Sequence, residues 1–345
     1  MRVLGLMAGA KQGGAEAFFA RLALALNGDG HVFSAAIRHD AARAARLAAG
    51  GVAVEQMAFG GIFDVATSWR LAQKIDRETP DLALAFMSRA AAKLPPRFLT
   101  RRKPVYVGRL GGYYDLKYYR RCDRLIGNTK DICAWIARQG WPADRVSYLP
   151  NFVDASRAAP VDRATLDTPG DAKLVLALGR LHANKAFDVL LAALANVPQA
   201  YLWIAGEGPL AAALRAQAET LGIAGRVRFL GWRNDTNALL AACDVLVCPS
   251  RHEPLGNVVI EAWAQARAVV AAKAQGPAAL IEDGKTGLLA PIDDADALAA
   301  ALRRVLEMPT LSLDLAQGGF AAYQSSYTKA AVVRRYREFF EEACA

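Results

Sequence analysis

No two of the five cysteines, Cys122, Cys133, Cys243, Cys248 and Cys344, stand in CxxC spacing, and their number is odd. The pattern speaks against a zinc site and against a closed disulfide framework, and fits reduced thiols in a cytoplasmic protein. Long apolar runs are missing as well. The opening MRVLGLMAGAKQGGAE is apolar over too few residues to span a bilayer, and reads as a strand entering a glycine turn rather than as a signal peptide. No low-complexity tract interrupts the chain, and 54% hydrophobic residues speak against disorder. At 345 residues the chain exceeds what one core usually absorbs, so two domains are expected.

Negative charge is scarce in the first half. Residues 1–150 hold 23 Lys and Arg against 12 Asp and Glu, whereas the remainder holds 19 against 21, giving the net +9 of the whole. A basic half joined to a near-neutral one points to an anionic partner for the first half: a phospholipid surface, nucleic acid or a phosphorylated acceptor. The densest cluster, SRAAAKLPPRFLTRRKP (88–104), carries Arg89, Lys93, Arg97, Arg101, Arg102 and Lys103 among Leu94, Phe98 and Leu99. It reads either as a solvated cationic face or as a patch for a membrane surface or acidic acceptor. Aromatic residues are not interleaved as a base-stacking platform requires, so nucleic acid is disfavoured.

Short apolar runs alternate with helical patterns. RVLGLM, HVFSAAI, VAVEQM, DLALAFM, PVYVGRL and RLIGN form one series, and KLVLALG, AYLWIAGEG, RVRFLG, CDVLVCPS, AVVAAKA and TGLLAP a second. Such alternation predicts doubly wound parallel α/β sheets. Between the series, 154–173 is polar, contains proline and lacks periodicity, as a linker does. The expected domains are therefore 1–155 and 156–327, with a closing helix at 328–345 that packs back on the first. In paired Rossmann-like domains, ligands are expected at a shared cleft facing the carboxyl ends of both sheets.

Residues with chemistry gather at strand ends. In SRHEPLGNVVIEAW (250–263) the helical spacing begins at Asn257, so Glu253 lies just before a helix N-terminus and Glu261 about two turns on. First-turn N–H groups favour an anion, and carboxylates accept hydrogen bonds from hydroxyls, so a phosphorylated sugar suits both. GRLHANKAF places Arg180 and Lys185 in a loop before a helix, where two cations would neutralise a diphosphate. Gly206 and Glu207 of GEGP close another strand in a tight turn that permits close backbone approach. Gly13 and Gly14 separate the opening strand from its helix, but GAKQGGAEAF lacks GxGxxG spacing, which disfavours a dinucleotide cofactor. Thr129 of GNTKDI reads as a helix N-cap or a ligand contact.

Taken in order, KQGGAE, YLPNFVD (148–154), GRLHANKAFDVLLAA, GEGP, DVLVCPSRHEPLGNVVIEAWAQARAVVA and GKTGLLAP resemble a retaining, nucleotide-sugar-dependent glycosyltransferase of family 4 over nearly the whole chain. The resemblance implies the GT-B architecture, two Rossmann-like doubly wound domains facing a central cleft. It implies that Glu253 binds donor-sugar hydroxyls, Glu261 the nucleotide ribose, and Arg180 and Lys185 the diphosphate. Backbone amides near Gly256, Asn257 and Val258 would meet sugar and phosphate oxygens, with Gly13 and Gly14 across the cleft. The donor is a substrate, and neither a cofactor nor a metal is expected. The resemblance implies a cell-envelope glycan or glycolipid acceptor such as lipopolysaccharide core, and the basic first half leads to the expectation that it is met at the cytoplasmic membrane face. Where many relatives carry a histidine after the strand PVYVGRL, this chain has Arg109, Gly111 and Gly112, so Arg109 or Tyr113 is expected to touch donor phosphate or acceptor. His182 and His252 lie in donor-side loops and read equally as cleft or structural residues. Two other readings fit the same chain: a nucleotide-sugar epimerase, or a catalytically silent sugar- or lipid-binding protein.

Overall fold

The computed structural model describes residues 1–10, 13–61, 63–153 and 157–345. The chain divides into two units: Met1–Phe152 with Lys329–Ala345, and Val153–Thr328. Unit 1 is built on β1 (Arg2–Met7), β2 (Val32–Arg38), β3 (Ala53–Met57), β4 (Leu82–Phe86), β5 (Val105–Leu110), β6 (Arg124–Gly127) and β7 (Val146–Tyr148). Unit 2 is built on β8 (Lys173–Leu178), β9 (Ala200–Ala205), β10 (Val227–Gly231), β11 (Val245–Cys248), β12 (Ala268–Ala272) and β13 (Leu288–Ala290).

Every strand pairing is parallel, and the spatial orders are β3-β2-β1-β4-β5-β6-β7 and β10-β9-β8-β11-β12-β13. Helices cover both faces of a parallel sheet, so its central strands are continuous apolar runs. The sequences LALAF of β4, VLVC of β11 and AVVAA of β12 are buried at every position. β7, with only three half-buried residues, is too short to show a period and was not foreseen in the sequence.

The segment read as a linker is corrected over 157–173, which packs on unit 2. Arg163 donates to the carbonyls of Ala242, at 3.0 and 2.6 Å, and Ala172, at 2.7 Å, and Thr168 accepts from the buried Trp203 indole at 2.8 Å. Arg163 and Thr168 thereby tie the segment down on unit 2, while Asp162, Asp171 and Lys173 stay exposed. Residues 154–156 lie outside the described residues.

The last helix, Lys329–Cys344, buries Val332, Val333, Tyr336, Phe339 and Phe340 in the unit 1 core. Phe340 stands edge-on to the His31 ring, centroids 6.0 Å apart, and neither His31 nitrogen has a hydrogen-bond partner among the described residues. Burial, then the chain's amino terminus and Arg337, lower the His31 pKa from 6.5 against the opposing pull of Asp29 and Glu341. The folded chain therefore holds His31 neutral, while the unfolded chain takes up a proton as pH drops below its ordinary value. Stability from this site is full above pH 6.5 and is lost as pH falls through the lower folded value. Unit 1 melting should drop as pH falls below 6.5, and His31→Phe should flatten that dependence in a pH series of thermal melts. An unaltered slope in the variant would assign the effect to other groups.

Candidate active site

In unit 2 the strand order reverses between β8 and β11, which are neighbours with their successors running to opposite sides. The loops leaving their carboxyl ends therefore diverge and leave room for a ligand. One loop runs from Gly179 to the helix Phe187–Ala195, the other from Pro249 to the helix Asn257–Ala264. They are stitched together: Arg251 and His252 donate backbone N–H groups to the Asn184 carbonyl at 2.9 and 3.2 Å. The Arg251 guanidinium donates to the Ala183 carbonyl at 2.8 Å and grips Asp188 through two bonds of 2.9 and 2.6 Å. Those bonds hold the Asp188 carboxyl below its usual range. Arg251 and Asp188 were not singled out in the sequence, because nothing in local spacing pairs residues so far apart in the chain.

Within this frame Lys185 donates to the Glu253 carboxylate, whose other oxygen accepts from Gly256 N–H at 3.3 Å. The Lys185 side chain is only 24% exposed and that of Glu253 13%. Burial pulls the Lys185 pKa down, but Glu253 beside it and the fields of Cys248 and Glu261 outweigh that, so the net shift is upward. The ammonium is thus held charged. Behind it, burial foremost pushes the Cys248 thiol up to about 11, so Cys248 stays a neutral wall.

The backbone completes the site. Gly256 is left-handed, φ 78°, and no side chain caps the helix that follows, the arrangement in which first-turn N–H groups at Asn257 and Val258 can turn toward an anion. The buried Trp263 indole donates to the Thr286 carbonyl at 2.8 Å and anchors that helix. Gly206, φ 150°, ends β9 so close to β8 that a Cβ there would lie 1.9 Å from the Gly179 carbonyl oxygen. Leu181 N–H donates to the Glu207 carbonyl at 3.0 Å, so GEGP braces the Arg180–Lys185 loop. The Glu207 side chain is exposed and accepts from Trp232 N–H at 3.4 Å. Arg180 is exposed, and no described acid pairs with it.

Unit 1 carries the glycine loop after β1. Gly13 precedes the helix Gly14–Asn27, which has no side-chain cap. A Cβ on Gly13 would lie 2.2 Å from a carboxylate oxygen of Glu16. Glu16 is buried and accepts from Ala10 N–H at 2.8 Å, a role not read from the sequence. Lys11 and Gln12 of the KQGGAE motif and Asp154 of YLPNFVD lie outside the described residues.

Arg109 is a correction. It is 1% exposed, donates to the Tyr336 hydroxyl at 2.9 Å and to the Asn151 side chain, and stacks over Phe18 and Phe86. Its Nε and Nη2 are thus engaged inside unit 1. The Tyr113 hydroxyl donates to Asp131, and its pKa is pushed up to about 12 by burial and by that carboxylate. His182 is hydrogen-bonded through Nδ1 to the Asn184 side chain, and Thr129 caps its helix through Ile132 N–H at 3.1 Å. Among the described residues no group of three or more His, Cys, Asp or Glu side chains could hold a metal ion.

Two family models match the chain: Glycosyltransferase Family 4 over residues 12–157 and Glycosyl transferases group 1 over residues 172–308. The lipopolysaccharide core biosynthesis glycosyltransferase LpsE of Rhizobium meliloti (strain 1021) is 35% identical over 329 residues, covering 94% of this chain and 95% of its own. LpsD of the same strain is 33% identical over 341 residues, covering 97% and 96%. Among solved structures, Anabaena Alr3699/HepE in complex with UDP superposes with a TM-score of 0.87 at 23% identity, covering 99% of this chain and 100% of that one. Two doubly wound parallel sheets, a site at a strand-order reversal and near full-length likeness to two glycosyltransferases converge: the chain is a glycosyltransferase of family 4 with the GT-B fold.

Proposed function

We propose that the protein moves a hexosyl group from a nucleotide-diphosphate sugar to a lipopolysaccharide-core saccharide, with retention at the anomeric carbon. The observation that carries the donor assignment is the meeting of Lys185 and Glu253 from two loops at the strand-order reversal, beside an uncapped helix start. A nucleoside diphosphate leaves with growing negative charge, which Arg180, Lys185 and the first-turn N–H groups would stabilise more strongly in the transition state than in the bound substrate. Glu253 then has a second duty: it holds Lys185 in place and accepts from donor-sugar hydroxyls. Glu261 is assigned to the ribose, and Gly13 and Gly14 to the phosphate. The names of LpsE and LpsD support the acceptor class, and HepE, solved with UDP, supports the donor class.

An anionic membrane face is part of the proposal. On unit 1, Phe63 is 96%, Phe98 84% and Trp69 57% exposed. Lys93 ties its own segment to the one carrying Phe63 by donating to the carbonyls of Gly61 and Asp64, both at 2.7 Å. Arg89, Arg101 and Arg102 are exposed on adjoining segments. Aromatic side chains entering the interface and roughly 1 kcal/mol per nearby basic residue would hold the protein on anionic lipid. Among the described residues no helix is long and apolar enough to cross a membrane.

The proposal is tested by nucleoside-diphosphate release, with nucleotide sugars screened singly. Release that rises with added core saccharide is expected, whereas conversion of one nucleotide sugar to another without an acceptor would replace transfer with epimerisation. In flotation assays, binding to phosphatidylglycerol vesicles should fall several-fold from about 50 to about 300 mM salt. Equal binding to neutral vesicles would remove the membrane assignment.

A further inference from the structure

Unit 1 holds a cavity of about 370 Å³ at the carboxyl ends of β1 and β2, beside the glycine loop. Its wall carries Ala10 on one side and Arg38, His39, Asp40 and Arg43 on the other. The volume lies in the range of small-ligand sites and suits one sugar ring with a substituent. Arg43 is buried and set by the fold: its guanidinium donates to the Ala10 carbonyl at 2.8 Å and pairs with Asp40 at 3.1 Å. Asp40 is itself fixed, accepting from Arg43 N–H at 3.0 Å as the cap of the helix Ala41–Ala49, while its own N–H donates to Gln56 at 2.8 Å. One carboxylate thus faces two guanidiniums and an imidazole. Behind Gly9 and Ala10 of the opposite wall lies the buried Glu16 carboxylate, which accepts from Ala10 N–H, so the cation-rich side of the cavity is the wall of Arg38 and Arg43. Arg38 and His39 are both exposed.

The geometry points to an oxyanion subsite for the acceptor: Arg38 and His39, with Arg43 behind them, receive a phosphate or carboxylate carried by the acceptor sugar. This deepens the transfer reading, on which the word acceptor rests, by giving that saccharide a charged substituent. Arg43 is the part built in advance. Its position is fixed by Ala10 and Asp40, so it loses little freedom when the anion arrives, and Arg38 closes from the rim by a planar fork.

Calorimetric titration of the full chain tests this without donor or turnover. The probes are inorganic phosphate, glucose 6-phosphate, glucuronate and glucose. The proteins are wild type, the double variant Arg38→Gln/His39→Gln, and Arg180→Gln in unit 2. At least one anionic probe should still bind Arg180→Gln, in which any contribution from the proposed diphosphate contact is removed, and bind the double variant on the order of tenfold more weakly at the unit 1 site, as expected for losing a charge-assisted hydrogen bond. Heat from glucose 6-phosphate alone identifies a phosphate, heat from glucuronate alone a carboxylate, and either supports the subsite. Both substituted side chains are exposed, and a thermal melt of the double variant confirms the fold. Unchanged affinity in the double variant, glucose binding as well as the anions, or loss in Arg180→Gln alone would overturn the subsite. Because no transfer is measured, failure of this titration and failure of the transfer reading remain distinct results.

Discussion

Lys185→Met should lower the turnover number for sugar transfer roughly a thousandfold, the scale seen when one preorganised donor to a developing oxyanion is removed. The substitution keeps the length and apolar stem of the side chain and deletes only the charge. It also strands Glu253, whose carboxylate is 13% exposed and has Lys185 as its cationic partner. Breaking one side of a largely buried pair destabilises by about 3–5 kcal/mol, so lost activity alone would not separate chemistry from unfolding. The double variant Lys185→Met/Glu253→Gln makes the separation. Removing both charges should return most of the melting temperature, since no unpaired carboxylate remains, while turnover stays low. Turnover within about threefold of wild type in a folded Lys185→Met protein would remove Lys185 from transition-state stabilisation.

Gly206→Ala should cost unit 2 about 3 kcal/mol, read as a melting shift of roughly 6–12 °C. The added methyl would sit 1.9 Å from the Gly179 carbonyl oxygen and 2.8 Å from its carbon, both backbone atoms, so no rotamer change can relieve it. The residue also holds φ 150°, which a side chain resists. Since Gly179 opens the loop that carries Arg180 and Lys185, the shift that accommodates the methyl should displace both cations. Donor binding should therefore weaken along with stability. A Gly206→Ala protein that melts within about 1 °C of wild type would show that the two strand ends can part without strain.

The strand-rich core was legible because a parallel sheet buries both faces: runs such as LALAF and VLVC admit few other readings. The loops proposed to hold the donor stand out in the sequence for a related reason. Ligand-binding residues of such sheets sit just past strand ends, so Arg180, Lys185 and Glu253 are found by counting on from β8 and β11. What escaped depends on long-range pairing. Arg251 and Asp188 stand 63 positions apart. Arg109 invites a ligand-contact reading because it stands where many relatives carry a histidine after the strand PVYVGRL. Tyr336, 227 residues further on, supplies the hydroxyl that occupies it, and no local pattern announces a partner at that distance. Polar composition misled at 157–173 for the converse reason, since Arg163 and Thr168 there serve neighbouring carbonyl and indole groups and not water.

The closing helix Lys329–Cys344 has a consequence for biosynthesis. The amino-terminal half emerges from the ribosome first but lacks the surface that seals its hydrophobic interior, where Tyr336 and Phe340 belong, until 329–345 have been synthesised. Val153–Thr328 can mature earlier, as an insert within a partner still waiting to finish. A stop codon just before Lys329 would therefore injure the portion of the molecule translated first.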